Sequence, residues 1–277
     1  VKDAQNVTLA CTGTSEQCLV YMRSLVSYIP DNSSVGVVVG ECTDNLNKKL
    51  GELDFSGEAL AEISVIADNG VFYEVSQGFA PSVSTVFATV AGVKCGIIAN
   101  SFSVNEGKLT SAVAKKITKF VNFCDAFSIP VITLVDSLGL TVDKENEESY
   151  FASELAKLAF AYSSATTPKI TVIMGHAIGA SFVLLGSKAL GADLVYATAK
   201  AEIGALPAES GVAFAWDKYI TLEKTRDDLI SEWKANVSSP AVAAASGEID
   251  DIISINELRA RICSAVLMLS AKNTPLA

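Results

Sequence analysis

Short apolar runs alternate with segments of helical spacing along much of this chain, and that alternation constrains its fold more than any other feature. The runs at 131–136 (VITLVD) and 169–174 (KITVIM) are apolar at nearly every inner position. The segments at 111–127 and 151–165 instead repeat apolar residues three and four positions apart, which is typical of a helix. Strands that alternate with helices in this way predict a mostly parallel sheet buried on both faces. The sequence therefore predicts an α/β fold.

Turn and cap signals predict the remaining elements. An Ala-Gly pair between two β-rich runs predicts a hairpin, and a Pro-Asp-Asn stop predicts where a first helix ends. A polar, glycine-containing stretch without a sustained period predicts a linker. In chain order these predictions are a helix over 15–29, a linker over 40–57, a helix over 57–67 capped by Ser56, a hairpin of 83–90 and 93–99, a helix over 180–190, a strand over 193–197, and helices around 221–236 and 254–270, the last begun by a capping box at 254–257.

Composition and charge limit the partners of the protein. The chain has 277 residues, 50 % of them apolar, so it can bury a sizeable core as one large domain or two small ones. Acidic residues number 31 against 21 Lys and Arg, and the net charge of −10 disfavours nucleic acid and anionic lipid as partners. The uncharged stretch 170–187 is broken by glycines and polar residues, so we do not expect it to span a membrane.

The cysteines and the single histidine argue against a metal centre. No two cysteines form a C-x-x-C pair, and one histidine, His176, cannot complete a Cys/His zinc set. We therefore expect buried or free thiols in a reducing cytoplasm, and no metal. The cysteines are Cys11, Cys18, Cys42, Cys95, Cys124 and Cys263.

The segment 170–182 (ITVIMGHAIGASF) is the candidate site. It predicts a strand, a glycine turn and the start of a helix, where the first backbone N–H groups have no partner within the helix. The small side chains of Gly179, Ala180 and Ser181 would let a ligand approach those amides, as an oxyanion hole requires. The same residues could instead only allow the helix to pack tightly on the sheet. The segment contains no G-x-G-x-x-G, no phosphate loop and no G-x-S-x-G.

Two further features lie near this segment in the predicted sheet. His176 could act as a base or hydrogen-bond a carboxylate or ureido group, although a structural histidine with satisfied hydrogen bonds is the simpler interpretation. Asp136 ends a strand and is followed by Ser137-Leu138-Gly139-Leu140. Ligands of open α/β folds bind at the carboxyl ends of strands, so this loop is a candidate pocket wall.

Four segments resemble one protein family. They are KFVNFCDAFSIPVITLVD (119–136), ATTPKITVI (165–173), GSKALGADLVYA (186–197) and AEIGAL (201–206). Together they resemble biotin-dependent acyl-CoA carboxyltransferases, of the propionyl-CoA carboxylase β and methylmalonyl-CoA decarboxylase α type. The resemblance extends over about residues 15–270 and implies a crotonase (ClpP-like) fold, a spiral of ββα units with a mostly parallel sheet.

The resemblance also implies a domain organisation. Members have two crotonase-like domains, an N-terminal one for the acyl-CoA and a C-terminal one for biotin. Residues 1–69 would be the tail of the N-terminal domain plus a linker, and 70–277 the C-terminal, biotin-side domain. Because the chain begins at Val1 with sequence typical of a domain interior, we expect a fragment or a processed piece of a longer protein.

The implied activity moves a carboxyl group between biotin on a carrier protein and an acyl-CoA. The amides of Gly179, Ala180 and Ser181 would stabilise the ureido oxyanion. The implied partners are a biotin carboxyl carrier protein, the acyl-CoA, the N-terminal carboxyltransferase domain of the same or another chain, and further copies in a homo-oligomer. The implied location is cytoplasmic, or at a membrane through a decarboxylase complex. The implied walls of the biotin pocket are Leu138, Gly139, Leu140, His176, Ile178 and Phe182.

Departures from the family pattern leave alternatives open. Leu138-Gly139-Leu140 replaces a Pro-Gly-Phe, and a Gly-Ala pair at 179–180 replaces two glycines. Basic residues and a tyrosine that usually precede the glycines are absent, and Thr198-Ala199 replaces a Trp-Pro. A non-catalytic scaffold subunit is therefore one alternative. A single-domain crotonase hydratase or isomerase is another, with Glu209 as one of the two carboxylates that such chemistry uses.

Overall fold

The computed structural model describes residues 14–32, 35–49, 58–221 and 223–272. Within them, helices and strands alternate as the sequence predicts. The helices are α1 (Ser15–Tyr28), α2 (Ala59–Ile66), α3 (Ser111–Ala126), α4 (Lys144–Glu148), α5 (Phe151–Ser164), α6 (Ala180–Leu184), α7 (Ala208–Gly211), α8 (Arg226–Asn236), α9 (Pro240–Ala245) and α10 (Leu258–Leu269). The strands are β1 (Phe72–Val75), β2 (Val83–Val90), β3 (Val93–Asn100), β4 (Val131–Ser137), β5 (Lys169–Ile178), β6 (Leu194–Thr198), β7 (Glu202–Gly204) and β8 (Asp251–Ile253).

The strands of the described residues form one sheet. Their order is β1-β2-β3-β4-β5-β6-β8, and β7 pairs with the end of β5. The first three strands are antiparallel, whereas β3, β4, β5, β6 and β8 run parallel to one another. The expectation of a mostly parallel sheet is therefore confirmed, and the carboxyl ends of β4, β5 and β7 meet at one edge.

Helices cover the sheet on both sides, as the apolar strands require. Val131 and Val135 of β4 pack against the α3 and α5 layer. Ile132 and Leu134, which point the other way because side chains alternate along a strand, pack with α2 and α10. Each layer contributes fully buried apolar side chains, among them Ile117 and Leu158 on the first side and Ile63, Ile66 and Ile262 on the second.

Several local predictions are confirmed. The hairpin between β2 and β3 turns at Ala91 and Gly92, which both have positive φ, at 52° and 79°. A Cβ on Gly92 would lie 2.3 Å from the carbonyl oxygen of Gly40, so glycine is required there for space as well as for backbone conformation. The capping box at Ser254 is present, formed with Glu257. The Ser56 cap and the linker residues 50–57 lie outside the described residues.

Two local predictions were wrong. Gly175 and His176 belong to β5, which continues to Ile178, rather than to a glycine turn. The helix expected over 180–190 ends at Leu184, because Gly186 turns the chain with a φ of 76° before a short 3-10 segment. The three-residue strands β7 and β8 were not predicted, since so short a strand has no detectable period. The boundary predicted at residue 69 stays a prediction.

None of the helices within the described ranges has the length and apolar character that crossing a bilayer requires.

Candidate functional site

The turn between β5 and α6 presents two unused backbone donors. Gly179 adopts φ 60° and ψ −136°, a conformation open to glycine and strained for other residues. Its own N–H donates to the carbonyl of Gly204 at 2.7 Å, so β7 already occupies that amide. Among the described residues, the amides of Ala180 and Ser181 have no hydrogen-bond acceptor. The side chain of Ala180 is exposed, which leaves this turn open to a ligand.

The Ser181 side chain holds the turn together. It is fully buried, and its hydroxyl donates to the carbonyl of Ile178 at 2.7 Å, with the carbonyl of Ser137 also 3.3 Å away. A hydroxyl used in this way ties the start of α6 to the ends of β4 and β5. The structure therefore gives Ser181 a structural side chain and a backbone amide that has no acceptor among the described residues but is buried with the rest of the residue.

The loop after β4 lies beside this turn. Gly139 has φ 105°, and a Cβ there would lie 3.4 Å from the carbonyl oxygen of Ile178. The loop is held by a hydrogen bond from the amide of Leu138 to the carbonyl of Glu106, at 3.1 Å. Leu140 and Phe182 are partly buried and pack against the same core layer. The predicted wall residues of this loop and turn are thus brought close together.

His176 lies within β5, three residues before Gly179. Its backbone N–H and its Nδ1 are each 2.8 Å from Asp136 Oδ1, and its ring stacks on Phe102 with centroids 4.8 Å apart. The hydrogen bond to Asp136 raises the pKa of His176 above its ordinary value, against a smaller opposing effect of burial. This environment agrees with the interpretation of His176 as a structural histidine with satisfied hydrogen bonds.

The sequence did not single out Glu62, a buried acidic side chain on which the charge of Asp136 acts. Glu62 of α2 is 3 % exposed among apolar residues. Burial, and secondarily the negative charge of Asp136, raises the pKa of Glu62 to about 8. In the sequence, Glu62 is distinguished only by its place between the apolar residues Ala59 and Ile63 on one helix face. That arrangement matches no known motif, so it did not predict a functional role.

Glu209, the acid considered for a hydratase, is exposed. Its Oε1 lies 3.7 Å from Lys234 Nζ, and Lys234 also lies 3.5 Å from Glu202. A surface carboxylate in an ion pair lacks the burial that poises an acid for proton transfer. The helix after Gly179 carries no acid either.

A cavity of about 290 Å³ lies elsewhere, between α1, β2 and α3. Its wall includes Leu25, Phe87 and Phe123, and none of the predicted site residues lines it. The candidate site therefore lies outside this cavity.

In sequence, the chain is similar to known carboxyl transferases. The model of the carboxyl transferase domain matches residues 8–276. The methylmalonyl-CoA carboxyltransferase 12S subunit of Propionibacterium freudenreichii subsp. shermanii is 39 % identical over 214 residues, covering 76 % of this chain and 41 % of that protein. The putative propionyl-CoA carboxylase beta chain of Bacillus subtilis (strain 168) is 34 % identical over 267 residues, covering 94 % and 53 %.

Structural similarity leads to the same family. A crystal structure of transcarboxylase 12S, with methylmalonyl-coenzyme A and methylmalonic acid bound, matches with a TM-score of 0.83 and 33 % identity, over 91 % of this chain and 50 % of that one. The chain spans about half the length of the curated relatives it matches. The predicted crotonase-like fold is confirmed by this neighbour and by the mostly parallel sheet. The chain belongs to the carboxyl transferase domain family.

Proposed function

We propose that this chain supplies the biotin-side half of a site that moves a carboxyl group between carrier-bound biotin and an acyl-CoA. The observation that carries the proposal is the pair of amides at Ala180 and Ser181, both without an acceptor, at the carboxyl edge of the sheet. The family match over 8–276 supports the reaction class, because the matched relatives are carboxyltransferases and carboxylases.

The residues present fit the ureido group of biotin. A ureido oxygen accepts two hydrogen bonds, and the turn holds two adjacent amides without acceptors in the described part of the chain, that of the exposed Ala180 and that of the buried Ser181. Gly179 supplies the backbone conformation of the turn. Leu138, Gly139, Ile178 and Phe182 supply small or apolar walls, and Leu140 supports them from the core. Biotin, when bound, carries the transferable carboxyl group on its ureido nitrogen.

The protein would contribute backbone N–H donors that are already oriented before the reaction begins. The amides of Ala180 and Ser181 donate toward an oxygen on which negative charge develops, and they are held in place before the reaction by the Ser181 hydroxyl and by β7. Removing one such donor typically costs ~10²–10³ in rate. Since α6 has only five residues, these individual amides contribute more than a helix dipole would.

The partners follow from this half-site. A biotin carboxyl carrier protein would deliver biotin, and an N-terminal carboxyltransferase domain, on the same or another chain, would hold the acyl-CoA. Copies of the protein would assemble as a homo-oligomer; the 12S neighbour is described as a hexamer assembly. We place this chemistry in the cytoplasm.

The decisive experiment measures carboxyl transfer from methylmalonyl-CoA or malonyl-CoA to free biotin and to a biotinylated carrier, using the complete protein that contains this chain. Ala180→Trp should abolish transfer by filling the turn while leaving the fold intact. Ala271→Trp is the matched control, because neighbouring Lys272 pairs with Asp193 at the opposite edge of the sheet. A wild-type protein that is well folded and inactive with short acyl-CoAs would favour the scaffold alternative. Unchanged transfer in Ala180→Trp would refute the site.

A further inference from the structure

The pairing of β4 with β5 is interrupted just before the proposed site. Val135 pairs with Ile173, and the next pair is Ser137 with Ala177. One residue of β4, Asp136, therefore faces three residues of β5, Met174 to His176. Such a bulge displaces the rest of β5 by two residues, or about 7 Å of strand.

The carboxylate of Asp136 closes this bulge. Its Oδ1 accepts the backbone N–H of His176 at 2.8 Å, which replaces the carbonyl that a regular ladder would supply. A Cβ on Gly175 would lie 2.6 Å from both carboxylate oxygens, so the carboxylate packs directly on the Gly175 backbone. The imidazole of His176 closes the other side, between Oδ1 and the ring of Phe102.

The displaced end of β5 sets the direction of the turn. After the bulge, Ala177 pairs with Ile203 and Ile178 pairs with Gly204 of β7. The amide of Gly179 then donates to Gly204, and the next two amides are left free. The orientation of those free amides thus depends on the register that the bulge imposes.

On the basis of the proposed function, we propose that Asp136 is a positioning residue for carboxyl transfer: by holding the bulge through His176, it orients the amides of Ala180 and Ser181. The charged groups that act on the imidazole are Asp136 of β4, Glu202 of β7 and Lys234 of α8, and the charge of Asp136 also acts on Glu62 of α2.

Three variants in the complete protein separate this role from others. Asp136→Ala removes the acceptor, and Asp136→Leu removes it while filling the same space. Asp136→Asn keeps an Oδ1 acceptor for both donors of His176. Asp143→Asn is the control, because Asp143 caps α4 and asparagine is an equally good N-cap. The readouts are kcat and KM for methylmalonyl-CoA with free biotin, and the NMR titration of the imidazole signal that His176→Asn removes.

We expect Asp136→Ala and Asp136→Leu to lower kcat roughly 10–100-fold, as a small misplacement of catalytic groups does, with KM for the acyl-CoA within about twofold of wild type. Asp136→Asn should stay within about fivefold of wild type in kcat. The pKa of His176 should fall in all three variants, because each removes the charged carboxylate whose hydrogen bond, and secondarily whose charge, raises it. The leucine variant carries the test if the alanine variant fails to fold.

Three results would overturn the inference. The first is a kcat within about threefold of wild type in both variants that lack the acceptor. The second is a loss confined to KM. The third is an equal loss in Asp136→Asn, accompanied by a new pH dependence that follows His176; this result would make the imidazole a proton-transfer group instead. An inactive wild-type protein would overturn the proposed function itself, which is a distinct outcome.

Discussion

Arg259 Nη2 lies 2.7 Å from Asp68 Oδ1, and the guanidinium is fully buried. The same Nη2 lies 3.2 Å from Asp44 Oδ2, and the Arg259 Nε donates to the carbonyl of Asn45 at 3.1 Å. Asp68 in turn accepts the amides of the hairpin turn, Ala91 at 3.0 Å and Gly92 at 2.9 Å. One arginine on α10 therefore joins the segment near residue 44, the end of α2 and the β2–β3 hairpin.

Arg259→Met should destabilise the protein by about 3–5 kcal/mol, because it leaves the buried Asp68 without its cation. The free energy of unfolding, measured with denaturant, checks this. Arg261→Met is the matched control: its Nη2 lies 3.1 Å from Asp251, and both side chains are half exposed. Loss of that surface pair should cost about 0–1 kcal/mol. Equal effects in the two variants would contradict the importance of the buried pair.

Glu62 should make the protein less stable as pH rises. Its folded pKa of about 8 lies above the ordinary value of 4.5, so between these values the folded state holds a proton that the unfolded state has lost. Stability falls over that range, by up to about 5 kcal/mol. Glu62→Gln cannot ionise and should flatten the dependence of Tm on pH, whereas exposed Glu145→Gln should leave it unchanged. An unaltered pH profile in Glu62→Gln would exclude this group as the cause.

Gly175→Ala should disturb the bulge that Asp136 closes. The new Cβ would meet both carboxylate oxygens at 2.6 Å, and relieving that contact should cost about 1–3 kcal/mol. Gly78→Ala is the matched control, since a Cβ there meets no atom within 4 Å. Thermal unfolding of the two variants gives the comparison. A Gly175→Ala protein as stable as Gly78→Ala would mean that the carboxylate moves freely.

The described cysteines should differ sharply in reactivity. Cys18 is exposed and should react with N-ethylmaleimide within the native protein. Cys95, Cys124 and Cys263 are buried, and burial raises the pKa of each thiol, that of Cys263 to about 11. Mass spectrometry after labelling at neutral pH should find these three unmodified until the protein is denatured. Rapid native labelling of Cys124 would indicate an opening of the layer between α3 and the sheet.

The strands and helices of the core could be predicted because their signals are local. The apolar run at 131–136 and the helical spacing at 111–127 each match an element within one residue. The end of β5 could not, because a glycine and a histidine after an apolar run look like a turn. The carboxylate that keeps them in the strand belongs to Asp136, 40 positions earlier.

The candidate site shows the same division. The small residues at 179–181 indicated a turn with available amides, and two of the three amides have no acceptor among the described residues. The Gly179 amide is occupied by β7, a strand of three residues that gives no sequence signal. The sequence could identify which residues form the turn, whereas pairing between distant segments decides which of their donors remain free.

The Arg259 cluster also has a consequence for cutting this protein into separately expressed parts. Asp44 and Asp68 lie on the N-terminal side of residue 70, whereas Arg259 lies far on the other side. A fragment that starts at residue 70 would leave the Arg259 guanidinium without the carboxylates and carbonyls that hold it, and would also uncover the apolar surface that α2 protects. A recombinant fragment should therefore begin before Asp44. It then keeps the carboxylates that pair with Arg259 and the helix α2 that covers the apolar surface.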